Sequence, residues 1–394
     1  SAASSDYPLR DVYKRQSGSI AFGISGAGAR ATNIIGGSTT ASVVAGSVVQ
    51  APGSITIDAV DTSGITSSVT AASVSAAVSG SVSGSLGISI TVAENTLTGT
   101  TRATIDASQV LSGGRDTRVS ARGGGKITAT GVSAAIGLAG SGGMALTVNA
   151  AGAVLTNTLT NTVEASVRAA GELRGAEAVS VSARDQSSID ATVTAAAVSV
   201  SASGAISGGA SFAVSRAENR YGTSVRALVD NAKVESTTGA VSISALSAGS
   251  VKSTTTSVAV TVTASGTGAF GISAAISDAI TRATSTAEAS LRNGSQVTGT
   301  LVRVEADDAS VLDSEVVAAS VSANFSGGLG LSIGFSLGRA QNFAASTVRA
   351  LVDASRITAT QAVIVDAAGA TTIESDSRVV SATMSVLSLI HISQ

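Results

Sequence analysis

The sequence has 394 residues, of which 13% are charged and only 2% are aromatic, whereas a globular chain usually has about 25% charged residues. The formal net charge of -2 gives no basic surface for nucleic acid or anionic lipid, and the lack of cysteine excludes disulfides and thiolate metal sites. A mean hydropathy of +0.40 is too high for a typical disordered composition.

The two end segments differ from the rest of the chain. Residues 1–16 contain the stretch DYPLRDVYKRQ, and residues 387–394 contain SLIHISQ. Both stretches resemble translated sequencing-adaptor sequence. We therefore expect residues 1–16 and 387–394 to be non-native and exclude them from fold reasoning. The only histidine, His391, falls in the second of these segments.

Residues 17–386 repeat with a fixed period. An alanine, followed two positions later by an aliphatic residue, recurs with steps of 62, 62, 62, 62 and 61 residues. A Ser-Gly pair keeps the same period from Ser17 to Ser326 and fails where the next copy would place it, at Leu387 and Ser388. The pattern predicts about six tandem repeats of ~62 residues cut from a longer array. The repeated alanines are Ala41, Ala103, Ala165, Ala227, Ala289 and Ala350.

Within a repeat the pattern is that of β-strands. In ASVSAAVSGSVSGSLGISITVA, which begins at Ala72, aliphatic residues hold one parity and serines hold the other. Runs such as VSVSA and VSISA add β-branched residues, and we expect equivalent strands at 179–183, 241–245 and 302–306. Separate sandwich domains would need about 100 residues each and bulkier cores. The sequence therefore predicts an all-β fold, a parallel β-solenoid (β-helix).

The length of one solenoid rung is open between about 20 and about 62 residues. Two charged columns, before and after each repeated alanine, alternate in sign, and rungs of ~62 residues would stack opposite charges about 4.8 Å apart. We favour the shorter rungs, which place like positions about 14 Å apart, so that the alternation mainly records duplication of a two-repeat unit. The columns are Thr40, Arg102, Glu164, Arg226, Glu288 and Arg349, and Val44, Asp106, Arg168, Asp230, Arg292 and Asp353.

A polar column precedes the repeated alanines. Stacked buried asparagines can form an amide ladder along parallel strands, but asparagine is also typical of turns with left-handed backbone. Both interpretations are structural, and both stay open at this point. The column reads Asn33, Asn95, Asn157, Asn219, Thr281 and Asn342.

The residues for most enzyme chemistry are missing. Without histidine or cysteine outside the excluded tail, Ser-His and Cys-His nucleophilic systems and ordinary zinc sites are unavailable. Asp307 and Asp308 are the densest acidic pair, but neighbouring strand residues point to opposite faces, and we expect a solvated surface there. We predict no catalytic residue, no metal site and no cofactor, and hence a chain that is not an enzyme.

The repeats resemble a family. The motif A-x-I-D-x-S-x-V at 103–110, followed by V-x-A at 119–121 and I-x-A at 127–129, is similar to repeats of giant bacterial surface proteins, the filamentous-haemagglutinin-like and other large repetitive adhesins. The resemblance implies a secreted structural stalk or filament, extracellular or on the cell surface, with a role in attachment or biofilm. It suggests surface glycans or other copies of the chain as partners.

Uncapped solenoid ends also predict end-to-end self-association. We expect no nucleic-acid partner and no membrane-spanning segment. Two alternatives remain: a polysaccharide-binding or polysaccharide-processing β-helix, and an ice- or crystal-binding solenoid. The second needs Thr-x-Thr ranks in every repeat, and the run Thr158, Thr160 and Thr162 is replaced by Arg, Gly and Ser in the fourth copy.

Overall fold

The computed structural model describes residues 18–387, which form 22 β-strands, numbered here in chain order, and no helix. All pairings between these strands are parallel. The predicted all-β parallel β-solenoid is confirmed. The expected non-native segment 1–16 and residues 388–394 lie outside the described residues, whereas Leu387 ends the last strand and pairs with Ser326. The described part of the chain has no helix that could cross a membrane.

The wide sheet holds one strand of 24 or 25 residues from each repeat. At about 3.3 Å per residue, such a strand spans about 80 Å. Its strands follow one another in chain order and are β1 (Ile20–Val43), β5 (Val82–Asp106), β9 (Met144–Arg168), β13 (Ile206–Asp230), β17 (Gly268–Arg292) and β20 (Leu329–Val352).

The return sheet lies against the part of the wide sheet that begins at the Ser-Gly turns, and it holds one strand of 16 residues per repeat. A short Ser-Gly turn joins each return strand to the next wide strand, as at Ser79 and Gly80. The return strands are β4 (Gly64–Ser79), β8 (Lys126–Ser141), β12 (Ser188–Ser203), β16 (Ser250–Ser265), β19 (Val311–Ser326) and β22 (Thr372–Leu387).

The corner sheet connects the other two. In the first four repeats it has strands of four residues, β2 (Val48–Ala51), β6 (Gln109–Ser112), β10 (Glu172–Gly175) and β14 (Lys233–Ser236), and strands of seven, β3 (Ile55–Asp61), β7 (Thr117–Gly123), β11 (Val179–Asp185) and β15 (Val241–Ser247). In the last two repeats the pieces are continuous, as β18 (Gln296–Asp308) and β21 (Arg356–Gly369).

The strands predicted at 179–183, 241–245 and 302–306 lie within β11, β15 and β18 and pair in register, so that prediction is confirmed. The repeat length of 61 residues arises at the corner sheet. In the fifth repeat the turn that precedes β18 is one residue longer than the turn before β14, and the stretch that corresponds to the β14–β15 link is two residues shorter.

One rung contains a whole repeat. Ala103 pairs with Ala41 on one side and with Ala165 on the other, so neighbouring residues along the axis are one repeat apart in sequence. Our preference for rungs of about 20 residues was therefore wrong. Inward and outward residues alternate along one strand from Val82 to Asp106. This single long strand occupies residues that rungs of about 20 residues would have divided among several shorter strands. The six rungs are numbered here by their wide strands.

The interior changes character along the rung. Beside the corner sheet, a cluster of Val, Ile, Leu and Ala side chains such as Ile105, Val119 and Val181 is fully buried. Toward the Ser-Gly turns, small and polar residues replace them, and Ser85 Oγ lies 2.6 Å from Ser75 Oγ across the two sheets. Small inward side chains let the sheets approach closely, so that cohesion depends strongly on the continuous backbone ladders.

Candidate functional site

An asparagine ladder runs through the interior of the first four rungs. Asn33 Nδ2 donates to Asn95 Oδ1 at 2.8 Å, Asn95 Nδ2 donates to Asn157 Oδ1 at 2.8 Å, and Asn157 Nδ2 donates to Asn219 Oδ1 at 2.9 Å. All four residues lie inside wide strands, with extended rather than left-handed backbone. The ladder ties each rung to the next through side chains as well as backbone.

The ladder stops at Thr281. Asn219 Nδ2 is buried and has no hydrogen-bond partner, because the next residue in the column is Thr281. Thr281 Oγ1 lies 3.5 Å from Ser314 Oγ. Beyond it, Asn342 turns to other groups: its Oδ1 accepts from Ser314 Oγ at 2.7 Å, and its Nδ2 donates to the Glu374 carbonyl at 3.0 Å. One threonine therefore interrupts the column.

The alternating charges lie on directly adjacent rungs. Arg226 pairs in register with Glu164 below and Glu288 above, so this charge has opposite charges as its axial neighbours. The close ion pairs nevertheless form along single strands: Arg168 Nη2 lies 2.7 Å from Glu164 Oε1, and Arg292 contacts Glu288 in the same way. The observed rung therefore corrects the expected spacing of about 14 Å between like positions of the columns, and duplication of a two-repeat unit stays our prediction for the origin of the alternation.

Other ion pairs join neighbouring rungs on the outer surface. Arg339 Nη2 lies 2.8 Å from Asp278 Oδ2, and Arg30 Nη2 lies 3.0 Å from Glu94 Oε1. Lys233 lies between Glu235 and Glu172. The hydrogen bond that Lys233 donates to Glu235 raises the pKa of Lys233 and outweighs partial burial, which lowers it. Exposed pairs of this kind contribute only about 0–1 kcal/mol each.

A column of carboxylates marks the junction of corner and return strands in alternate rungs. Asp61, Asp185 and Asp308 occupy equivalent positions, and each is followed two residues later by a serine to which it is hydrogen-bonded. Asp185 and Asp308 are buried, whereas Asp61, in the first rung, is half-buried. Gly123 and Ser247 fill the position in the intervening rungs. Like charges are thus kept two rungs, about 9.6 Å, apart. This two-rung period matches that of the outer charges.

Asp308 shows how such a carboxylate is held. Its side chain accepts from Ser285 Oγ and Ser310 Oγ at 2.6 Å each, from Thr371 Oγ1 at 3.2 Å, and from Ser346. Burial raises the pKa of Asp308, but the four hydroxyl donors outweigh it, and the pKa lies below its ordinary value. The expected solvated surface was therefore wrong for Asp308, which is 1% exposed.

Asp307 points the opposite way, as adjacent strand residues must. Partial burial, then the nearby carboxylates of Glu305 and Asp366, raise the pKa of Asp307. The two aspartates therefore do not face each other across a common site. They cannot act as a paired acid and base on one bound molecule.

Tyr221 is the one buried tyrosine among the described residues, and its hydroxyl donates to Asp185 Oδ2 at 2.8 Å. Burial, followed by the negative charge of Asp185, raises the pKa of Tyr221 well above its ordinary value. Room for the ring comes from Gly249, because a Cβ there would collide with the Tyr221 hydroxyl. Rung 4 thus exchanges the leucine of rungs 2 and 3, Leu97 and Leu159, for a tyrosine that reaches a buried carboxylate.

These polar groups serve the interior rather than an open site. Residues 18–387 contain no group of three or more His, Cys, Asp or Glu side chains that could hold a metal ion. The buried carboxylates accept their hydrogen bonds from neighbouring side chains: Asp185 from Tyr221, and Asp308 from the surrounding hydroxyls. Periodic spacing of Asp-x-Ser at alternate repeats is the sequence signal that could have indicated them in advance.

The outer surface shows a reversed pattern that sequence reasoning missed. Near the Ser-Gly turns the apolar residues face outward and the polar ones inward: Ile88 and Ile90 are 41% and 50% exposed, whereas Ser89 and Thr91 are fully buried. The return sheet does the same, with Val78 exposed. Alternation in sequence separates two faces but does not state which one is inside. Beyond this region the outer surface becomes charged and Thr-rich.

The threonine ranks are interrupted in the fourth rung. Thr98 lies beside Thr160, and the next position in the column is Gly222. A continuous Thr surface across all rungs is therefore not formed. Comparison with known proteins found no matching family model, no matching curated protein and no matching solved structure.

Proposed function

We propose that this chain is a non-catalytic structural segment of a large secreted bacterial surface protein, adhesin-like, with a role in attachment or biofilm. The observation that carries the proposal is the uninterrupted stacking of whole repeats: each wide strand pairs with the next in one register over its full length. Such an array grows by adding similar rungs, and it needs no separate core for each repeat.

The interior supports the same role. Its polar groups are arranged as columns that join rung to rung, as in the asparagine ladder from Asn33 to Asn219. Buried carboxylates such as Asp308 are enclosed by hydroxyls of the same rung and of the next one. These contacts make neighbouring rungs cohesive, which an element under mechanical tension requires.

The dimensions of a rung indicate what kind of structural element the chain forms. A repeat of ~62 residues lengthens the array by only about 4.8 Å, although each rung is about 80 Å wide. A rigid ribbon with two broad faces therefore fits the molecule better than a device for long reach. Attachment on this account uses the faces of the ribbon.

Two measurements test the proposal. Antibodies raised against the chain should label intact cells of the source bacterium without permeabilisation, and labelling only after permeabilisation would contradict a surface location. In parallel, the purified chain should release no reducing ends from a panel of bacterial polysaccharides. Turnover by the purified, folded chain would show instead a polysaccharide-processing β-helix.

A further inference from the structure

Among the first nine residues of each wide strand, the five that face outward are all apolar. We call this surface the apolar panel: the outward residues from the Ser-Gly turns to the first charged column, in which Arg216 and Asp278 lie. In rung 2 these residues are Val82, Gly84, Leu86, Ile88 and Ile90. In the other five rungs the same columns hold only Gly, Ala, Val, Leu, Ile, Met or Phe.

The size of the panel exceeds what a monomer usually exposes. Nine strand residues over six rungs cover about 30 Å by 29 Å, or about 850 Å². The largest apolar patch of a soluble monomer is about 300–600 Å², and a stable interface buries about 800 Å² per partner. The apolar part of the return sheet is smaller, about 670 Å² by the same reckoning. The panel alone therefore reaches the area that a stable dimer needs.

The panel is also complementary to itself in part. If two copies face each other across a two-fold axis parallel to the strands, rung 1 opposes rung 6, rung 2 opposes rung 5 and rung 3 opposes rung 4, with every column over itself. Phe335 then opposes Gly26 and Phe212 opposes Ala150, so that the largest side chains meet small ones. Other columns bring two aliphatic side chains together, as Ile24 with Ile333.

The glycines on this surface leave real space. Nothing lies within 4 Å of where a Cβ would sit on Gly26, Gly28 or Gly152. In the arrangement above, these positions oppose Phe335, Leu337 and Val214. Beside Gly84, over which Phe22 of the same chain leans, a hollow remains between Phe22, Leu86 and Leu146.

We propose that the apolar panel binds the apolar panel of a second copy, face to face and with this two-fold symmetry. Binding of the panel to a lipid surface in place of a second copy is an outcome that the test below distinguishes. The inference follows from the outer surface and holds whether or not the proposed surface function is correct.

Charged residues frame the interface without being buried in it. At the rim, Arg30 is paired with Glu94 and Arg339 with Asp278. Because Arg30 and Arg339 would oppose each other across the two-fold axis, their ion partners within each chain limit the repulsion. The apolar contact ends at this column.

Sedimentation of the full chain tests the proposal first. We expect a dimer, and Phe212→Glu should weaken it roughly thirtyfold or more, because a charge then enters the centre of the panel. Phe325→Glu is the matched control, since Phe325 lies on the return sheet with 42% exposure against 41% for Phe212. Far-UV circular dichroism should show both variants folded. A monomeric wild-type chain, or equal loss in both variants, would overturn the proposal.

Thiol cross-linking then tests the symmetry. The chain has no cysteine, so the double variant Ile88→Cys, Ala274→Cys introduces the only thiols. These positions lie three rungs, about 14 Å, apart within one chain. Across the proposed interface they oppose each other at the spacing of packed sheets, about 10 Å, which exceeds the reach of a disulfide but not that of a short bismaleimide.

A short bismaleimide should therefore link the double variant into dimers and leave each single variant unlinked. End-to-end association would place rungs 1 and 6 together and would not link rungs 2 and 5. Linking in a single variant, no linking in the double variant, or capture of the chain by phosphatidylcholine vesicles in place of dimerisation would each refute the inference.

Discussion

Thr281→Asn should stabilise the protein by continuing the interrupted asparagine ladder. Asn219 Nδ2 is buried without an acceptor, and Thr281 is its axial neighbour in the wide sheet. The new amide oxygen would occupy the place that Asn157 and Asn219 offer to the donors of the preceding rungs. Threonine and asparagine are similar in size, so the change needs little repacking.

The magnitude follows from the groups involved. A buried donor left without a partner costs about 1–3 kcal/mol, and a buried hydrogen bond contributes about 0.5–1.5 kcal/mol. The interaction that the substitution removes is weak, since Thr281 Oγ1 and Ser314 Oγ are 3.5 Å apart. We expect the free energy of unfolding to rise by about 1–2 kcal/mol, after allowance for reordering of the neighbouring side chains.

Urea unfolding of the full chain followed by far-UV circular dichroism measures this change. The midpoint should increase with an unchanged slope, because the surface exposed on unfolding stays the same. Thr281→Val is the matched control: it keeps the shape but supplies no acceptor, and it should not raise the midpoint. Equal stabilisation by Val and Asn, or destabilisation by Asn, would refute the ladder as a source of stability.

Four further predictions concern the buried polar groups and the ends. Asp308→Asn should lower the free energy of unfolding by about 2–4 kcal/mol, because four hydroxyls lose their charged acceptor. The pKa of Asp308 is lowered in the fold, so the carboxylate stabilises the protein above its ordinary pKa near 3.9 and loses this contribution as the pH falls below that value. The wild-type and Asn proteins should therefore converge in stability in acid. Gly249→Ala should destabilise the protein by about 1–3 kcal/mol in thermal unfolding through its collision with Tyr221, and adding Tyr221→Phe should recover part of the loss, whereas no recovery would place the strain elsewhere. The raised pKa of Tyr221 means that its buried neutral form contributes fully below pH 10 and loses that contribution as the pH rises further, so alkaline unfolding should be delayed in Tyr221→Phe. Finally, a polar capping repeat at each end should abolish end-to-end association in analytical ultracentrifugation and leave panel-mediated dimers intact; loss of both together would show a single mode of association.

The sequence was sufficient for the fold class because both periods, two within a strand and ~62 between repeats, are written directly in it. The length of a rung could not be predicted from the sequence. Equivalent residues recur every ~62 residues whether one rung holds a whole repeat or a third of one. The decisive feature is the unbroken strand from Val82 to Asp106, and glycines inside a strand pattern ordinarily indicate a bulge or a break. Gly84 and Gly87 instead lie within it, where side chains from neighbouring strands occupy the adjacent space.

The polar interior was only partly accessible from sequence. Asn157 stands in a column whose period made stacking one of two structural interpretations, and the contacts to Asn95 and Asn219 distinguish them. The prediction for Asp308 was wrong because its four hydroxyl partners come from four separate strands or turns that are adjacent only in the fold. The apolar panel was missed because a period of two is symmetric with respect to inside and outside.

A distance between spin labels four rungs apart tests the central claim, that one rung is one repeat. Thr98 and Ala345 are outward residues joined through Thr160, Gly222 and Thr284 in a single column of the wide sheet. Labels on Thr98→Cys and Ala345→Cys, in a chain diluted with unlabelled protein, should give a backbone separation of about 19 Å by double electron–electron resonance. Rungs of about 20 residues would instead separate these positions by about 58 Å, and a distance near that value would contradict the account.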